Sequence, residues 1–558
     1  MHNFIIKISK GPSSVVKFEH DWLGNASELL DREEISADNL SCLSYGAEKK
    51  IFTEDDQLYV LINKFYASNT NLNLSKELLK RYRSQTVDEY FNKFDGELSA
   101  IFIDLKSQKV VVYTDRFGLI PVYMCERENS IWISSSPKYI FLQDKTLKLR
   151  KKSIECFLEN GHLLGKHSWF EKVTLVDSSN KVEVDLKDYS VSTSFYWTWG
   201  EVEQVNYSFE RSVDKLSEVF LNAVQKRKHV CRSNFLLLSG GMDSRLILAA
   251  LDKSDLEYTA TFSKTRSEEL SIAKKLSAEK AVPHKHWVLD KSNWVDNRIE
   301  NIWNLDCGIS FLHDHAAPHN REIHKKGNGV YNGFGGGILF GGNYIDQPNI
   351  SIGQDKIKKY YRDSWTEEKG ESEFYNINKI EPYFLNTRLR RFTAVGTRSL
   401  LPNTPLLPFI DRDFLSLLMS IDDTHRKDRK LFNAVALKLD RNLFAKYTYT
   451  QLGRPITADR TMKYRLKGYT IHLMNKLFGI EYISYVNYKK WVSTIDPFIS
   501  QIVSSRSILS EMIEIDIAKI YTEGNLELLG RVLSLEIYLQ QILNNKYRST
   551  EEIKLKKS

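Results

Sequence analysis

Along the first 200 residues, apolar and polar positions alternate in short runs closed by turn residues, as at Leu98 to Asp104, Val110 to Thr114 and Ile131 to Ser134. Such period-two alternation predicts antiparallel strands and a β-rich, layered domain over 1–200. From about Phe209 the period changes. Val213, Leu216, Val219, Phe220, Ala223 and Val224 recur at helical spacing, and the apolar strand Phe235 to Leu238 then runs straight into a glycine-rich loop. Strands over Tyr258 to Phe262 and His286 to Leu289, separated by a helical stretch from Glu268 to Ala278, give the alternation of a parallel sheet. From about Glu381 the pattern is mainly helical. The chain therefore reads as α/β with two domains: 1–200, a second unit over 205–545, and a charged, frayed tail over 546–558.

Size agrees with this division, since 558 residues with 42% hydrophobic content exceed what a single core organises. Lys and Arg exceed Asp and Glu by 79 − 71 = 8, spread along the chain rather than gathered in one arm, so no nucleic-acid partner is indicated. The five cysteines (Cys42, Cys125, Cys156, Cys231 and Cys307) are far apart and never form a CxxC pair, which argues against a disulfide framework or a zinc ribbon and fits a reducing cytoplasm. Met1 to Lys7 lacks the apolar core and cleavage site of a signal peptide, and no stretch approaches the roughly 18 apolar residues of a membrane span. Neither secretion nor a membrane anchor is expected. Oligomeric state leaves no mark in the sequence.

The candidate chemistry lies in Ser239-Gly240-Gly241-Met242-Asp243-Ser244. Two glycines let the backbone curl and turn N–H groups toward an anion, and Ser239 and Ser244 add hydroxyl donors. A triphosphate or pyrophosphate suits that place. Asp243 would repel phosphate directly but suits a Mg²⁺ bridging the phosphates. The loop lacks the Gly-Lys-Ser/Thr ending of a Walker A motif, which disfavours γ-phosphate transfer.

Residues 235–248 resemble the pyrophosphatase loop of asparagine synthetases and their relatives, in which ATP is cleaved to AMP and pyrophosphate while a carboxylate is adenylated. The resemblance extends to Thr261-Phe262-Ser263, Glu269-x-x-x-Ala273, His284-x-His286 and Pro408-Phe409-Ile410-Asp411. Upstream, Phe94-Asp95-Gly96-Glu97-Leu98, Asp104, Asp115-Arg116-Phe117-Gly118, Pro121-Val122-Tyr123 and Ser134-Ser135-Ser136 are similar to the frame of a class II glutamine amidotransferase domain. It implies an N-terminal antiparallel αββα domain of Ntn-hydrolase kind and a C-terminal ATP-pyrophosphatase domain. It also implies ATP contacts at Ser239, Gly240, Gly241, Asp243, Ser244, Phe262, Gly335 and Gly336, with Mg²⁺ on Asp243.

Three departures qualify what the resemblance implies. A class II glutaminase uses an N-terminal cysteine exposed after methionine removal, and position 2 here is His2. Leu61-Ile62-Asn63-Lys64-Phe65-Tyr66 resembles the glutamine-binding Asn-Gly-Glu stretch with Lys64 and Phe65 in place of the glycine and glutamate. In Asn332-Gly333-Phe334-Gly335-Gly336-Gly337 the family's glycine frame persists, but Phe334 and Gly337 stand where acids are expected. The late catalytic lysine has no clear counterpart; Arg454 and Lys446 are the candidate cations for pyrophosphate or a developing oxyanion.

The expected activity is an ATP-dependent amide-forming ligase acting on a small-molecule or peptide carboxylate, its amine being ammonia or the substrate's own, as in β-lactam synthetases and lasso-peptide macrolactam cyclases. Conventional glutamine-hydrolysing asparagine synthesis and a spent nucleotide-binding protein are the alternatives. Weaker patterns are His313-x-His315-x-x-x-His319-x-x-x-x-His324, with 315 and 319 on one face of an amphipathic helix, and the basic groups Arg388-x-Arg390-Arg391 and Lys463-x-Arg465-x-Lys467. Solvated surfaces outweigh metal or anion sites for these. Pro408 to Asp411 reads equally as a helix-closing turn or a site element.

Overall fold

The computed structural model describes residues 3–11, 31–46, 50–67, 73–324, 328–342, 345, 371–458, 486–504 and 507–553. His2, the 463–467 basic group and the end of the charged tail lie outside them.

Twelve strands open the chain: β1 (Asn3–Ser9), β2 (Asp31–Ala37), β3 (Leu40–Gly46), β4 (Ile51–Asp55), β5 (Leu58–Ala67), β6 (Gly96–Asp104), β7 (Lys109–Tyr113), β8 (Tyr123–Arg127), β9 (Ser130–Ser134), β10 (Val173–Leu175), β11 (Asn180–Asp185) and β12 (Val191–Phe195). They form two six-stranded sheets, ordered β10-β8-β9-β1-β3-β2 and β12-β11-β7-β6-β5-β4. Described neighbours in both sheets are antiparallel. Side-chain alternation explains how the sheets stack. Phe4, Ile6 and Ile8 of β1 meet Ile101 and Ile103 of β6 in the core between the sheets. Leu98, Ala100 and Phe102, on the other face of β6, pack under α1 (Leu74–Arg83) and α2 (Val87–Lys93). On the far side, Ile5 packs with α3 (Pro137–Gln143) and α4 (Lys151–Asn160). The result is an αββα sandwich.

The second unit opens on the 17-residue α5 (Phe209–Gln225), capped by Ser208 accepting from the Arg211 N–H. Behind it lies a fully parallel sheet, ordered β15-β14-β13-β16-β17, of β13 (Ser233–Leu237), β14 (Tyr258–Ser263), β15 (His284–Val288), β16 (Asn328–Tyr331) and β17 (Thr404–Leu406). From β13 the chain moves outward through α6 (Asp243–Ala249) and α7 (Glu268–Glu279) to β14 and β15, then returns to place β16 on the opposite side of β13. This reversal leaves a crevice at the C-terminal ends of β13 and β16, the position where open α/β sheets bind ligands. Both glycine runs emerge there.

Beyond Glu381 the described residues are mainly helical, and the helix Leu526–Asn544 returns to the sandwich, where Tyr538 lies 6.0 Å from the Trp169 ring. The two units share one core: Tyr66, Phe117, Trp197 and Trp199 join residues of α5 and α6. No helix among the described residues is long and apolar enough to cross a membrane.

The segment expected to be one amphipathic helix over 313–324 is instead two tight turns, Phe311–His313 and Ala317–His319, and a single helical turn at Asn320–Ile323. Pro318 has no N–H to continue a helix from the preceding turn, and Asp314 is drawn into the interior, where it accepts from Asn301 Nδ2 at 2.6 Å.

Candidate functional site

The loop after β13 is fixed by its own serines. The Ser239 N–H donates to Ser244 Oγ (3.0 Å), the Gly241 N–H donates to Ser239 Oγ (3.1 Å), and the two hydroxyls are 3.1 Å apart. Gly240 faces two tight neighbours, since a Cβ there would lie 2.2 Å from Thr450 Oγ1 and 3.5 Å from Glu269 Cα. Its N–H serves the Glu269 carboxylate, partly offsetting the upward push of burial on that acid. The Gly240 carbonyl accepts from Arg245 Nη2 at 3.1 Å. Arg245 is completely buried, and its other bonds go to the carbonyls of Leu443, Tyr447 and Thr448, so it clasps the loop to 443–448. With both Nη groups spent on carbonyls, Arg245 holds the loop in place.

The second glycine run closes over Asp243. A Cβ at Gly333 would come 2.9 Å from Asp243 Cβ, and one at Gly336 would come 2.6 Å from Asp243 Cγ, so backbone packs directly on that side chain. Gly335 takes φ +85°, the left-handed turn that starts the π-helical stretch Gly336–Phe340. The Gly337 N–H donates to Asp243 Oδ2 at 2.9 Å. Burial raises the Asp243 carboxyl to about 6, against the Gly337 N–H and the Arg429 guanidinium, which favour the anion. Phe334, standing where the resemblance places a glutamate, is 3% exposed and belongs to the core.

Arg429 is the residue that sequence reasoning missed. Its Nη1 donates to Tyr449 Oη at 2.7 Å, and its Nη2 lies 3.4 Å from the Cβ position of Gly341 and 3.9 Å from that of Gly337. Asp428 and Arg429 adopt φ of 54° and 62°, two successive left-handed residues without a glycine. In sequence it hides within the charged run Arg426 to Lys430.

The expected cations are placed otherwise. Lys446 is 60% exposed and pairs with Glu279 at 2.7 Å, while the loop touches Glu269 at the opposite end of α7, about 15 Å away at 1.5 Å per residue. Arg454 contributes its backbone: its carbonyl accepts from the Tyr449 N–H at 2.9 Å, shaping the turn that carries Tyr449 and Thr450. Phe262 stacks on His315, ring centroids 6.3 Å apart.

Asp243 is also where Mg²⁺ is expected. Its Oδ2 already accepts an amide hydrogen, a guanidinium stands nearby, and Gly337 supplies no second carboxylate. No cluster of three or more His, Cys, Asp and Glu among the described residues could hold a metal. With one carboxylate here, a Mg²⁺ would be held by Asp243 together with the phosphates of the nucleotide rather than by the protein alone. The histidines disperse likewise: His315 bonds Tyr488 Oη (2.7 Å), His319 stacks on Trp287, His324 bonds the Ser399 carbonyl (2.8 Å), and His313 faces Glu527 (3.0 Å).

The 388–391 basic group corrects the expectation of a solvated face. Arg390 and Arg391 are buried against the sandwich, with Arg390 Nε donating to the Gly118 carbonyl (2.7 Å), its Nη2 to that of Val176, and Arg391 to that of His167. Asp411 opens a helix rather than closing one. It caps the helix Arg412–Ser420, and its other oxygen meets Arg227 Nη1 (2.8 Å) and Lys226 Nζ. Lys226 also binds Asp95 (2.7 Å), and the Arg227 guanidinium lies 4.4 Å from the centre of the Tyr66 ring. Tyr66, at the end of the stretch resembling a glutamine site, is thus covered by Arg227 from just beyond α5.

An amidotransferase-like sandwich ahead of a parallel-sheet loop domain defines a two-domain class, and comparison with known proteins agrees. The family model described as asparagine synthase matches residues 215–392, and that described as glutamine amidotransferase domain matches 61–142. The asparagine synthetases [glutamine-hydrolyzing] of Rattus norvegicus and Homo sapiens are each 24% identical over 358 residues, 62% of this chain and 59% of theirs; that of Gallus gallus is 24% identical over 361 residues. The match thus spans 59% of the length of these relatives. Among solved structures, glutamine phosphoribosylpyrophosphate amidotransferase from B. subtilis, complexed with ADP and GMP, aligns over 51% of this chain and 59% of its own at 10% identity and TM-score 0.20. NMN synthetase from Francisella tularensis aligns over 35% of this chain and 94% of its own at 11% identity and TM-score 0.16. The two family models and these relatives support a likeness to the asparagine synthetase family over part of the chain.

Proposed function

We propose that this protein is an ATP-dependent carbon–nitrogen ligase that adenylates a carboxylate and passes the acyl group to an amine without using glutamine. The observation that carries this reading is the meeting of two glycine runs on Asp243 at the switch point of a parallel sheet. The triphosphate lies along 239–244 and 335–337. A substrate carboxylate oxygen attacks the α-phosphorus, the bond to the bridging oxygen breaks, and pyrophosphate leaves. The amine then attacks the acyl carbon, AMP departs with the electron pair, and the amine's proton is lost. In this scheme the loop hydroxyls of Ser239 and Ser244 hold the phosphates in line, so the protein contributes positioning above all.

Independence from glutamine is supported by Lys64 and Phe65 in the stretch that resembles a glutamine site, and by Lys226 and Arg227 engaging Asp95 and Tyr66 beside it. The test is pyrophosphate release from full-length protein given ATP with candidate carboxylates and ammonia, with and without glutamine. Release that depends on one carboxylate and ignores glutamine is expected; stimulation by glutamine would sink the glutamine-independent reading.

A second reading, a catalytically spent nucleotide-binding protein, draws on the core position of Phe334 and the absent acid at Gly337. ATP binding by calorimetry with no AMP from any substrate mixture would favour it.

A further inference from the structure

We propose that the cleft between the two units where Arg390, Arg391 and Arg398 converge is a binding site for a small tetrahedral dianion such as phosphate. It is separate from the ATP reading: among the described residues lining it, none belongs to the glycine runs or to the 61–66 stretch.

Charge does not balance in this cleft. The sandwich contributes Gly118, Tyr123 and Trp169 to its walls, and the second unit contributes Asp306 and the three arginines. Asp306 is the one acid among the described lining residues, and it is already committed. Its Oδ1 accepts from Lys138 Nζ and Ser136 Oγ, both at 2.6 Å, and its carbonyl accepts from Trp169 Nε1 at 2.6 Å. Arg390 and Arg391, each 7% exposed, spend donors on neutral acceptors: the carbonyls of Gly118, Val176 and His167, and Asn386 Oδ1 at 3.1 Å. The acids that act on Arg390 from further off are engaged elsewhere, Asp177 with Lys166 at 2.6 Å and Asp115 with the N–H groups of Phe117, Leu119 and Ile120. Arg398 has no hydrogen-bond or ion-pair partner among the described residues. Three guanidiniums thus face one another without a carboxylate to pair with, and charges withdrawn from water are ordinarily paired.

Geometry puts that surplus in the cleft. The side chains acting on Arg398 are Tyr123, Asp306 and Arg391, all of which line it. Burial holds the Arg398 and Arg390 guanidiniums below their ordinary range against the pull of nearby acids and tyrosines, and Arg391 presses both the same way, so the three repel one another. Arg390 is set in place by Gly118, whose φ is +62° and whose Cβ position lies 2.6 Å from the Arg390 Cζ, so the guanidinium rests on bare backbone. A cavity volume of about 30 Å³ suits a compact ion and excludes a nucleotide. Guanidinium forks match phosphate oxygens in pairs, and a surplus of three charges favours a dianion over a carboxylate. An ion there is held between the second unit and the sandwich, so it stabilises the folded protein by binding that state alone.

The experiment is calorimetric titration and thermal unfolding of full-length protein with inorganic phosphate at fixed ionic strength in chloride, with sulfate and acetate as comparison ions. Wild type is expected to bind phosphate saturably and unfold at a higher temperature in it, to respond to sulfate alike, and to respond weakly to acetate. Arg398→Met breaks no hydrogen bond among the described residues, so without phosphate it should unfold no lower than wild type. Its phosphate affinity should fall about tenfold or more, the range for a lost hydrogen bond between charged groups. Arg398→Lys should recover part of that loss. Gly336→Ala, at the glycine loop, should keep the binding that Arg398→Met removes. A rise in unfolding temperature shared equally by Arg398→Met is the general effect of such salts and would overturn the proposal. So would phosphate binding lost in Gly336→Ala and kept in Arg398→Met, which would place the ion at the loop. Acetate acting as strongly as phosphate, or no phosphate binding to wild type, would overturn it as well.

Discussion

Two buried charge clusters, one just beyond α5 and one at the start of α6, are built in opposite ways. At the junction of the two units, Asp95, Glu97 and Asp411 face Lys226 and Arg227, side chain against side chain. At the glycine loop, Asp243 meets a backbone N–H, Glu269 meets another, and Arg245 meets carbonyls. The first arrangement fills its own space and fastens one unit to the other. The second uses glycine backbone to satisfy charge and leaves room beside it, as an anion site requires. Asp411 ends the segment Leu406 to Asp411 leading out of β17, two strands from the loop.

The largest expected effect lies in the first cluster. Arg227→Met takes from Asp411 and Asp95 one of their two cationic partners in a buried place, leaving Lys226, and thermal unfolding should report a loss of up to about 3–5 kcal/mol. A loss under about 1 kcal/mol would mean that this cluster, like the loop, is held by backbone.

Asp243→Asn should act in the reverse direction. An aspartate whose folded value is raised to about 6 from 3.8 favours the fold below pH 3.8 and loses that contribution as pH rises through 6, so above pH 6 the buried charge is a cost. The variant should be more stable than wild type at pH 8, by up to about 3 kcal/mol, with the gap closing toward pH 4. Equal unfolding temperatures across that range would remove the distinction between the clusters. Gly336→Ala comes next: its new methyl would press on Asp243 Cγ, costing about 1–3 kcal/mol in denaturant unfolding. Smallest is Lys446→Ala, whose exposed pair with Glu279 predicts no resolvable change in unfolding temperature and no change in pyrophosphate release.

What the sequence made legible follows from locality. The apolar run Leu98 to Asp104 became β6, buried on both faces, and helical spacing around Val213 to Val224 became α5, because each pattern is set by local burial. The loop at 239–244 was legible because its bonds run among its own residues. Arg429 was not, since its partners Tyr449, Gly337 and Asp243 lie 20, 92 and 186 residues away, and nothing near position 429 announces them. The 388–391 arginines misled for the same reason. Their pattern resembles a solvated helix, and only the fold brings the carbonyls of Gly118, Val176 and His167 to meet them. The histidine segment misled through spacing alone, with Pro318 breaking the helix that would have aligned it.

The central claim is that glycine backbone around Asp243 makes the ATP site, and titrating ATP by calorimetry into wild type and Gly336→Ala tests it most directly. The account predicts saturable binding to wild type and a loss of about tenfold or more in the folded variant, one ten-fold step for each roughly 1.4 kcal/mol of disturbed contact. Equal affinity in both, or no binding to wild type, would contradict it.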